Sequence, residues 1–98
     1  MLKIIQSETF AKWMAGLRDQ RAVLRIRSRL DHLSYGLAGD AKPVGEGISE
    51  ARIDHGPGYR LYYLRRGSVL IVMLCGGDKS SQKADIKAAK RIAREWRD

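Results

Sequence analysis

The chain has 98 residues, of which 44% are hydrophobic and 31% are charged, a composition that excludes general disorder and predicts one domain over residues 1–98. A formal net charge of +8 indicates an anionic partner, the alternative being a basic surface without one. No uncharged apolar stretch approaches the roughly 18 residues that span a bilayer. The lone cysteine, Cys75, fits a reducing compartment, so we expect a cytoplasmic protein that has no membrane partner.

A short strand and two helices are predicted in the first forty residues. Apolar residues open the chain at Leu2 to Ile5, Ser7 can cap the first helix, and a second helix follows Asp19 or Gln20 and is ended by Gly36 and Gly39. The two helices form a hairpin whose apolar stripes should cover a sheet. These stripes contain Phe10, Trp13, Met14 and Leu17 in the first helix and Val23, Ile26, Leu30 and Leu33 in the second.

The middle of the chain predicts an antiparallel sheet. Residues 48–54 and 59–64 alternate between apolar and polar, and the sequence His-Gly-Pro-Gly between them indicates a turn. Residues 69–75 are almost wholly apolar, which predicts a central strand buried on both faces. A loop or short edge strand is expected at residues 43–47.

A basic helix at about Ser81 to Arg97 completes the predicted order. Ile86, Ala89, Ala93 and Trp96 form its apolar stripe, and lysines and arginines cover the rest. The fold class is therefore α+β: a short N-terminal strand, a two-helix hairpin, an antiparallel sheet of three to four further strands and a basic C-terminal helix. We expect the helices on one face of the sheet, with the other face partly open.

Three basic residues form the candidate site. Arg52 and Arg60 lie side by side if the two alternating strands pair in register, and Lys79 leaves the neighbouring central strand. Because adjacent guanidinium groups repel each other, such a pair suits a fold that binds an anion between them. In the alternative interpretation, Arg52 pairs with Glu50 or Asp54, Arg60 is solvated and Lys79 only opens a helix.

These residues suit metal-independent cleavage of RNA, in which the ribose 2′-hydroxyl is the nucleophile. Arg52 and Arg60 would stabilise charge on the phosphorane, and Lys79 would add charge or transfer a proton. His55 is a candidate for proton transfer, because histidine titrates nearest neutrality, and Tyr62 could stack on a base or donate a proton. The chain has no cluster of metal-ligand type, so we predict no metal and no cofactor.

Three segments carry a resemblance to a known family. They are Ile-Ser-Glu-Ala-Arg-Ile at 48–53, Gly-Pro-Gly-Tyr-Arg-Leu-Tyr-Tyr at 56–63 and Leu-Cys-Gly-Gly-Asp-Lys-Ser-Ser-Gln at 74–82. With the basic helix, the chain resembles the RelE/HigB-like toxins of type II toxin–antitoxin systems, in the branch called addiction module killer proteins. The resemblance implies the RelE-like fold, ribosome-dependent cleavage of mRNA and inhibition by a cognate antitoxin. It also implies that the antitoxin carries a helix-turn-helix domain and that operator DNA is bound only through the antitoxin.

The resemblance assigns the basic positions of the family to Arg52, Arg60 and Lys79. Some relatives have a further catalytic tyrosine or histidine after the last strand, where this chain has a long helix, so proton transfer would depend on Lys79, Tyr62 or His55. We expect RNA contacts from Glu50, Lys83 and Lys87. The basic surface is also expected to attract an acidic segment of the antitoxin.

Two other functions are compatible with the residues. The superfamily includes ParE-like poisons of DNA gyrase, which would act through surface helices and would not need Lys79. A basic nucleic-acid-binding domain without catalysis would show steeply salt-dependent affinity and would not arrest growth.

Overall fold

The helices and strands are those of a computed structural model that describes residues 1–96. The strands are β1 (Lys3–Gln6), β2 (Ala41–Gly45), β3 (Ile48–Ile53), β4 (Tyr59–Arg66) and β5 (Leu70–Asp78). The helices are α1 (Glu8–Ala15), α2 (Gln20–Ser34) and α3 (Gln82–Glu95), and a 3₁₀ turn (Lys79–Ser81) joins β5 to α3.

The five strands form one mixed sheet in the order β1-β5-β4-β3-β2. β1 runs parallel to β5, and all other neighbouring strands are antiparallel. The predicted α+β fold, with its N-terminal strand, helical hairpin, four further strands and C-terminal helix, is confirmed.

Side-chain caps begin both helices of the hairpin, and the cap at Ser7 is the one that the sequence predicts. The Ser7 hydroxyl accepts a hydrogen bond from the backbone N–H of Phe10 at 3.0 Å and donates one to the carbonyl of Leu74 at 2.6 Å. The Asp19 carboxylate accepts hydrogen bonds from the backbone N–H groups of Arg21 and Ala22. Each cap satisfies N–H groups that lack a partner within the helix.

The helices cover both faces of the sheet, so the expectation that they share one face is wrong. α1 and α2 pack on one face, where Phe10 and Ile26 contact apolar side chains of β4 and β5. α3 crosses the opposite face, where Ala89 packs with Tyr62 and Val72. The two-sided burial predicted for β5 already required a second layer, because a strand buried on both faces needs a cover on each.

The end of α3 differs from the predicted end of the terminal helix. The helix ends at Glu95, and Trp96 is its C-cap residue and packs against the core beneath α3. Arg97, where the prediction ended the helix, lies outside the described residues.

A bulge and two glycines shape the end of β5. Tyr62 pairs with Cys75 and Tyr63 with Met73, so Leu74 is an extra residue in β5. Beyond it, a Cβ atom at Gly76 would collide with the Trp13 ring, and one at Gly77 would collide with Asp85 and Ser81. The absence of side chains at these two positions lets α1 and the first turn of α3 approach the strand closely.

Within residues 1–96, no helix is both long and apolar enough to cross a membrane.

Candidate functional site

The two arginines of the candidate site are cross-strand neighbours. Arg52 of β3 lies opposite Arg60 of β4, and Arg60 lies opposite Gly77 of β5. The predicted register is therefore confirmed, and the two guanidinium groups leave the same face of the sheet.

Lys79 is exposed in the turn directly after β5. Asp78 caps this turn by accepting hydrogen bonds from the backbone N–H of Ser80, at 2.8 Å, and from the Ser80 hydroxyl. These hydrogen bonds lower the pKa of Asp78 below its ordinary value. The carboxylate of Asp78 is thus engaged in the cap and leaves Lys79 free to face solvent.

Arg52, Arg60 and Lys79 line one open cleft of about 460 Å³ at the end of the sheet. The β3–β4 turn forms its rim through Gly56, Pro57 and Gly58. The turn contains two glycines at positive φ, which lets the backbone fold tightly beside the cleft. Three basic residues from three separate segments therefore line a single open cleft.

Arg52 is paired with an acid that the sequence did not single out. Its Nη2 and Nε atoms lie 2.8 and 3.2 Å from Asp40 Oδ1, and the alternative partners Glu50 and Asp54 do not pair with it in the described structure. The pair is at the surface, with side-chain exposures of 41% for Arg52 and 57% for Asp40. An exposed pair of this kind contributes about 0–1 kcal/mol, so a phosphate can compete for Arg52.

Arg60 has unused hydrogen-bonding capacity. Its Nε atom is buried, and no hydrogen-bond partner lies within the described part of the chain. A buried donor without a partner is costly. An oxyanion in the cleft would give the guanidinium an acceptor.

Glu50 and Tyr62, predicted to face RNA, lie instead in the interior. Both side chains are fully buried beneath α3. The Tyr62 hydroxyl and the Gln82 amide each donate a hydrogen bond to Glu50 Oε2 at 2.9 Å. Burial, followed by the hydrogen bond to Glu50, raises the pKa of Tyr62 above its ordinary range. The expectations that Tyr62 stacks on a base and that Glu50 contacts RNA are therefore corrected to a structural role that ties α3 to β3 and β4.

His55 is held by α2. Its Nε2 atom lies 2.9 Å from Asp19 Oδ2, and its side chain is 19% exposed. This hydrogen bond, followed by that from the Ala22 backbone, lowers the pKa of Asp19. His55 is not among the residues that line the cleft. In this structure it joins the β3–β4 turn to the start of α2.

Two lysines of α3 are predicted to contact RNA. Lys83 and Lys79 line a shallow depression together, and Lys87 is exposed one helical turn farther along. The predicted RNA contacts of Lys83 and Lys87 stay a prediction.

A second basic cleft, of about 320 Å³, adjoins the first one. Arg52, Asp40, Ile53 and Asp54 line both clefts, and α2 supplies the rest of the second. The α2 residues that line it are Arg25, Ser28, Arg29 and His32. The sequence analysis missed this group, although its spacing of three, four and seven residues is the pattern of one helix face.

The cysteine and the metal-ligand residue types add no further group to this site. Burial, and then the nearby Asp85 charge, raise the pKa of the Cys75 thiol to about 12, so this cysteine is a packed side chain and not a nucleophile. Within residues 1–96, no group of three or more His, Cys, Asp or Glu side chains is placed to hold a metal ion. The arrangement is suited to binding an anion and to stabilising charge that develops on it.

Comparison with solved structures shows which fold this is. A mutant of the Escherichia coli toxin RelE in the free state superposes with a TM-score of 0.73 at 16% identity, over 93% of this chain and 97% of that chain. A chain of the toxin–antitoxin complex RelBE2 from Mycobacterium tuberculosis superposes with a TM-score of 0.64 at 20% identity, over 80% of this chain and 98% of that chain. The fold is therefore RelE-like.

Comparison of sequences gives a closer relationship. No protein-family model matches the chain. An uncharacterized protein of Haemophilus influenzae is 46% identical over 94 residues, which are 96% of this chain and 95% of that protein. The chain belongs to the same family as this Haemophilus influenzae protein, a family with the RelE-like fold.

Proposed function

We propose that the protein is the toxin of a type II toxin–antitoxin system and that it cleaves mRNA on the ribosome without a metal ion. The observation that carries the proposal is the convergence of Arg52, Arg60 and Lys79 on one open cleft. The RelE-like fold supports it, because one structural neighbour is the toxin RelE and the other belongs to the toxin–antitoxin complex RelBE2.

In the proposed reaction, the 2′-hydroxyl of one nucleotide attacks the adjacent phosphorus. The O2′–P bond forms and the P–O5′ bond breaks, which leaves a 2′,3′-cyclic phosphate and a 5′-hydroxyl. Arg52 and Arg60 hold the non-bridging oxygens and stabilise the added charge of the phosphorane.

Proton transfer is assigned to titratable groups that line the cleft. Lys79 lies on the exposed turn and would protonate the leaving 5′ oxygen. Asp40 and Asp54 are the cleft carboxylates that could accept the 2′ proton. Tyr62 is too deeply buried for either step, and His55 would have to leave Asp19 to take part.

A cognate antitoxin is the proposed partner that silences the protein. The cleft and the outer surface of α3 are rich in cations, so an acidic antitoxin segment would occupy the site or keep the toxin off the ribosome. Operator DNA would be bound through the helix-turn-helix domain of the antitoxin. Coexpression with the neighbouring open reading frame tests this partner, and failure of that product to bind or to rescue growth would count against it.

The decisive experiment is cleavage of a defined mRNA by purified protein, with and without programmed ribosomes, read by primer extension. We expect cuts only when ribosomes are present. Arg60→Ala and Lys79→Ala should each reduce the cleavage rate by about 100-fold or more, the usual cost of removing a group that stabilises transition-state charge. Arg27→Ala is the matched control, because Arg27 is exposed on the side of α2 away from both clefts.

Two results would contradict the proposal. Equal cleavage by the Arg52, Arg60 and Lys79 triple alanine variant would exclude this site. Normal early translation together with DNA-damage signalling in cells would instead favour the gyrase poison.

A further inference from the structure

The second cleft, on the polar face of α2, is not needed to hold the phosphate that is cut. It adjoins the first cleft directly, because Asp40, Arg52, Ile53 and Asp54 form a wall common to both. Arg52 therefore faces a positively charged space on each side. A groove of this kind suits a ligand that carries more than one negative charge along its length.

The α2 residues have cationic groups available for such a ligand. The side chain of Arg25 has no ion pair or hydrogen bond to any other described residue, and it is exposed. Arg29 makes one long hydrogen bond of 3.4 Å, from Nη1 to the carbonyl of Asp40. Ser28 and His32 add hydrogen-bonding groups on the same helix face.

The acids in this cleft do not cancel its charge. The Asp40 carboxylate is already paired with Arg52. Asp54 is therefore the other carboxylate that lines this cleft with Arg25 and Arg29. Arg25 and Arg29 lie one helical turn apart, a spacing at which like charges repel. An incoming anion would relieve that repulsion.

We propose that the polar face of α2, with Arg25 and Arg29 as its main contacts, is a subsite for the RNA phosphate next to the one bound by Arg60 and Lys79. The identity of the ligand rests on the proposed function, whereas the anion subsite itself rests on the geometry. The single-stranded message would then cross Arg52, with consecutive phosphates on its two sides. Arg25 and Arg29 act in binding and positioning and do not touch the reacting atoms.

The test is the binding of labelled oligoribonucleotides of two and six nucleotides, measured by fluorescence anisotropy without ribosomes over a range of salt concentrations. Arg25→Ala should weaken binding of the hexamer about tenfold, the value of one charge-assisted contact. It should also reduce the salt slope by about 0.7, the value for one phosphate of a single strand. The dimer, with its single phosphate, and the Arg27→Ala control should show no loss.

Three results would overturn the subsite. Equal losses for Arg25→Ala and Arg27→Ala would mean a diffuse effect of net charge, and equal losses for dimer and hexamer would place Arg25 at the first phosphate. Loss of ribosomal cleavage with unchanged hexamer binding would assign Arg25 to ribosomal RNA.

Failure of the nuclease proposal would look different. In that case no variant cleaves mRNA, while the length-dependent loss for Arg25→Ala persists and the anion subsite stands. Arg29→Ala serves as the second variant, and unchanged thermal unfolding midpoints verify that both variants are folded.

Discussion

One face of the sheet has two ends with opposite properties. Beneath α3 the face is buried, and its polar side chains, Glu50 and Tyr62, are hydrogen-bonded to each other. Beyond the first turn of α3 the same face is open and carries Arg52, Arg60 and Lys79. The covered end determines where the strands and the turn lie, and the open end presents the cations. Changes at the covered end should therefore alter stability, whereas changes at the open end should alter ligand binding.

Removing the buried carboxylate should have the largest effect on stability. Glu50→Ala leaves the buried Tyr62 hydroxyl and the half-buried Gln82 amide without their acceptor, and a fully buried donor without a partner costs about 1–3 kcal/mol. We expect the free energy of unfolding to fall by about 2–4 kcal/mol in urea denaturation. Glu50→Gln keeps an oxygen for both donors and should lose less than half as much. Equal losses for the two variants would show that these hydrogen bonds do not hold α3 in place.

A methyl group at Gly77 should separate α3 from the sheet. The new Cβ would collide with Asp85 and Ser81, so we expect Gly77→Ala to reduce the free energy of unfolding by about 1–3 kcal/mol, the usual cost of overpacking. It should also lower cleavage activity, because Lys79 follows Gly77 by two residues. Gly16→Ala is the control, since its Cβ would meet only ordinary contacts of 3.5 and 3.6 Å. Unchanged stability of Gly77→Ala would mean that the first turn of α3 tolerates displacement.

Neutralising Asp40 should strengthen RNA binding at the open end of the sheet face. Asp40→Asn frees Arg52 from its ion pair, so we expect a few-fold tighter binding of short RNA in anisotropy measurements. The stability cost should be at most about 1 kcal/mol, since the pair is exposed. Asp31→Asn, an exposed change elsewhere on α2, is the control. Weaker binding by Asp40→Asn than by this control would mean that Asp40 orients Arg52 for its ligand.

The smallest expected effect is a pH dependence at the start of α2. Because the folded-state pKa of Asp19 lies below the ordinary 3.8, its contribution to stability is present above that pH and is lost as the pH falls through the folded-state pKa. In urea denaturation between pH 5 and pH 2.5, the free energy of unfolding should fall less steeply with pH for Asp19→Asn than for the natural chain. Identical slopes would show that the contact between Asp19 and His55 does not contribute.

The sequence was sufficient to predict the local features of the fold. Ser7 could be predicted as a cap, and the start of α2 could be placed at Asp19 or Gln20, because apolar residues at helical spacing follow each of them. The pairing of Arg52 with Arg60 could be predicted because a short turn joins two alternating strands.

Contacts between distant segments could not be predicted in the same way. The apolar stripe of α3 fits either face of a sheet, so its side depends on the connection from β5 and not on its own residues. In the sequence, Glu50 alternates with apolar residues as a solvent-facing acid does. Its burial depends on α3, whose residue Gln82 donates a hydrogen bond to it. The Asp40 contact joins a loop to β3, and the Asp19 contact joins the start of α2 to the β3–β4 turn, for which no local pattern exists.

The extra residue in β5 determines to which face of the sheet each later residue of the strand points. Before the bulge, the even-numbered Val72 and Leu74 point to α3. Because of the bulge, Cys75 also points to α3. After it, the odd-numbered Gly77 therefore meets α3 and the even-numbered Gly76 meets Trp13. Pairing without the bulge, at an unchanged chain length, would exchange these two environments and bring Lys79 to the sheet end turned toward the wrong layer. The bulge therefore keeps Gly77 under α3 and Gly76 under the Trp13 ring.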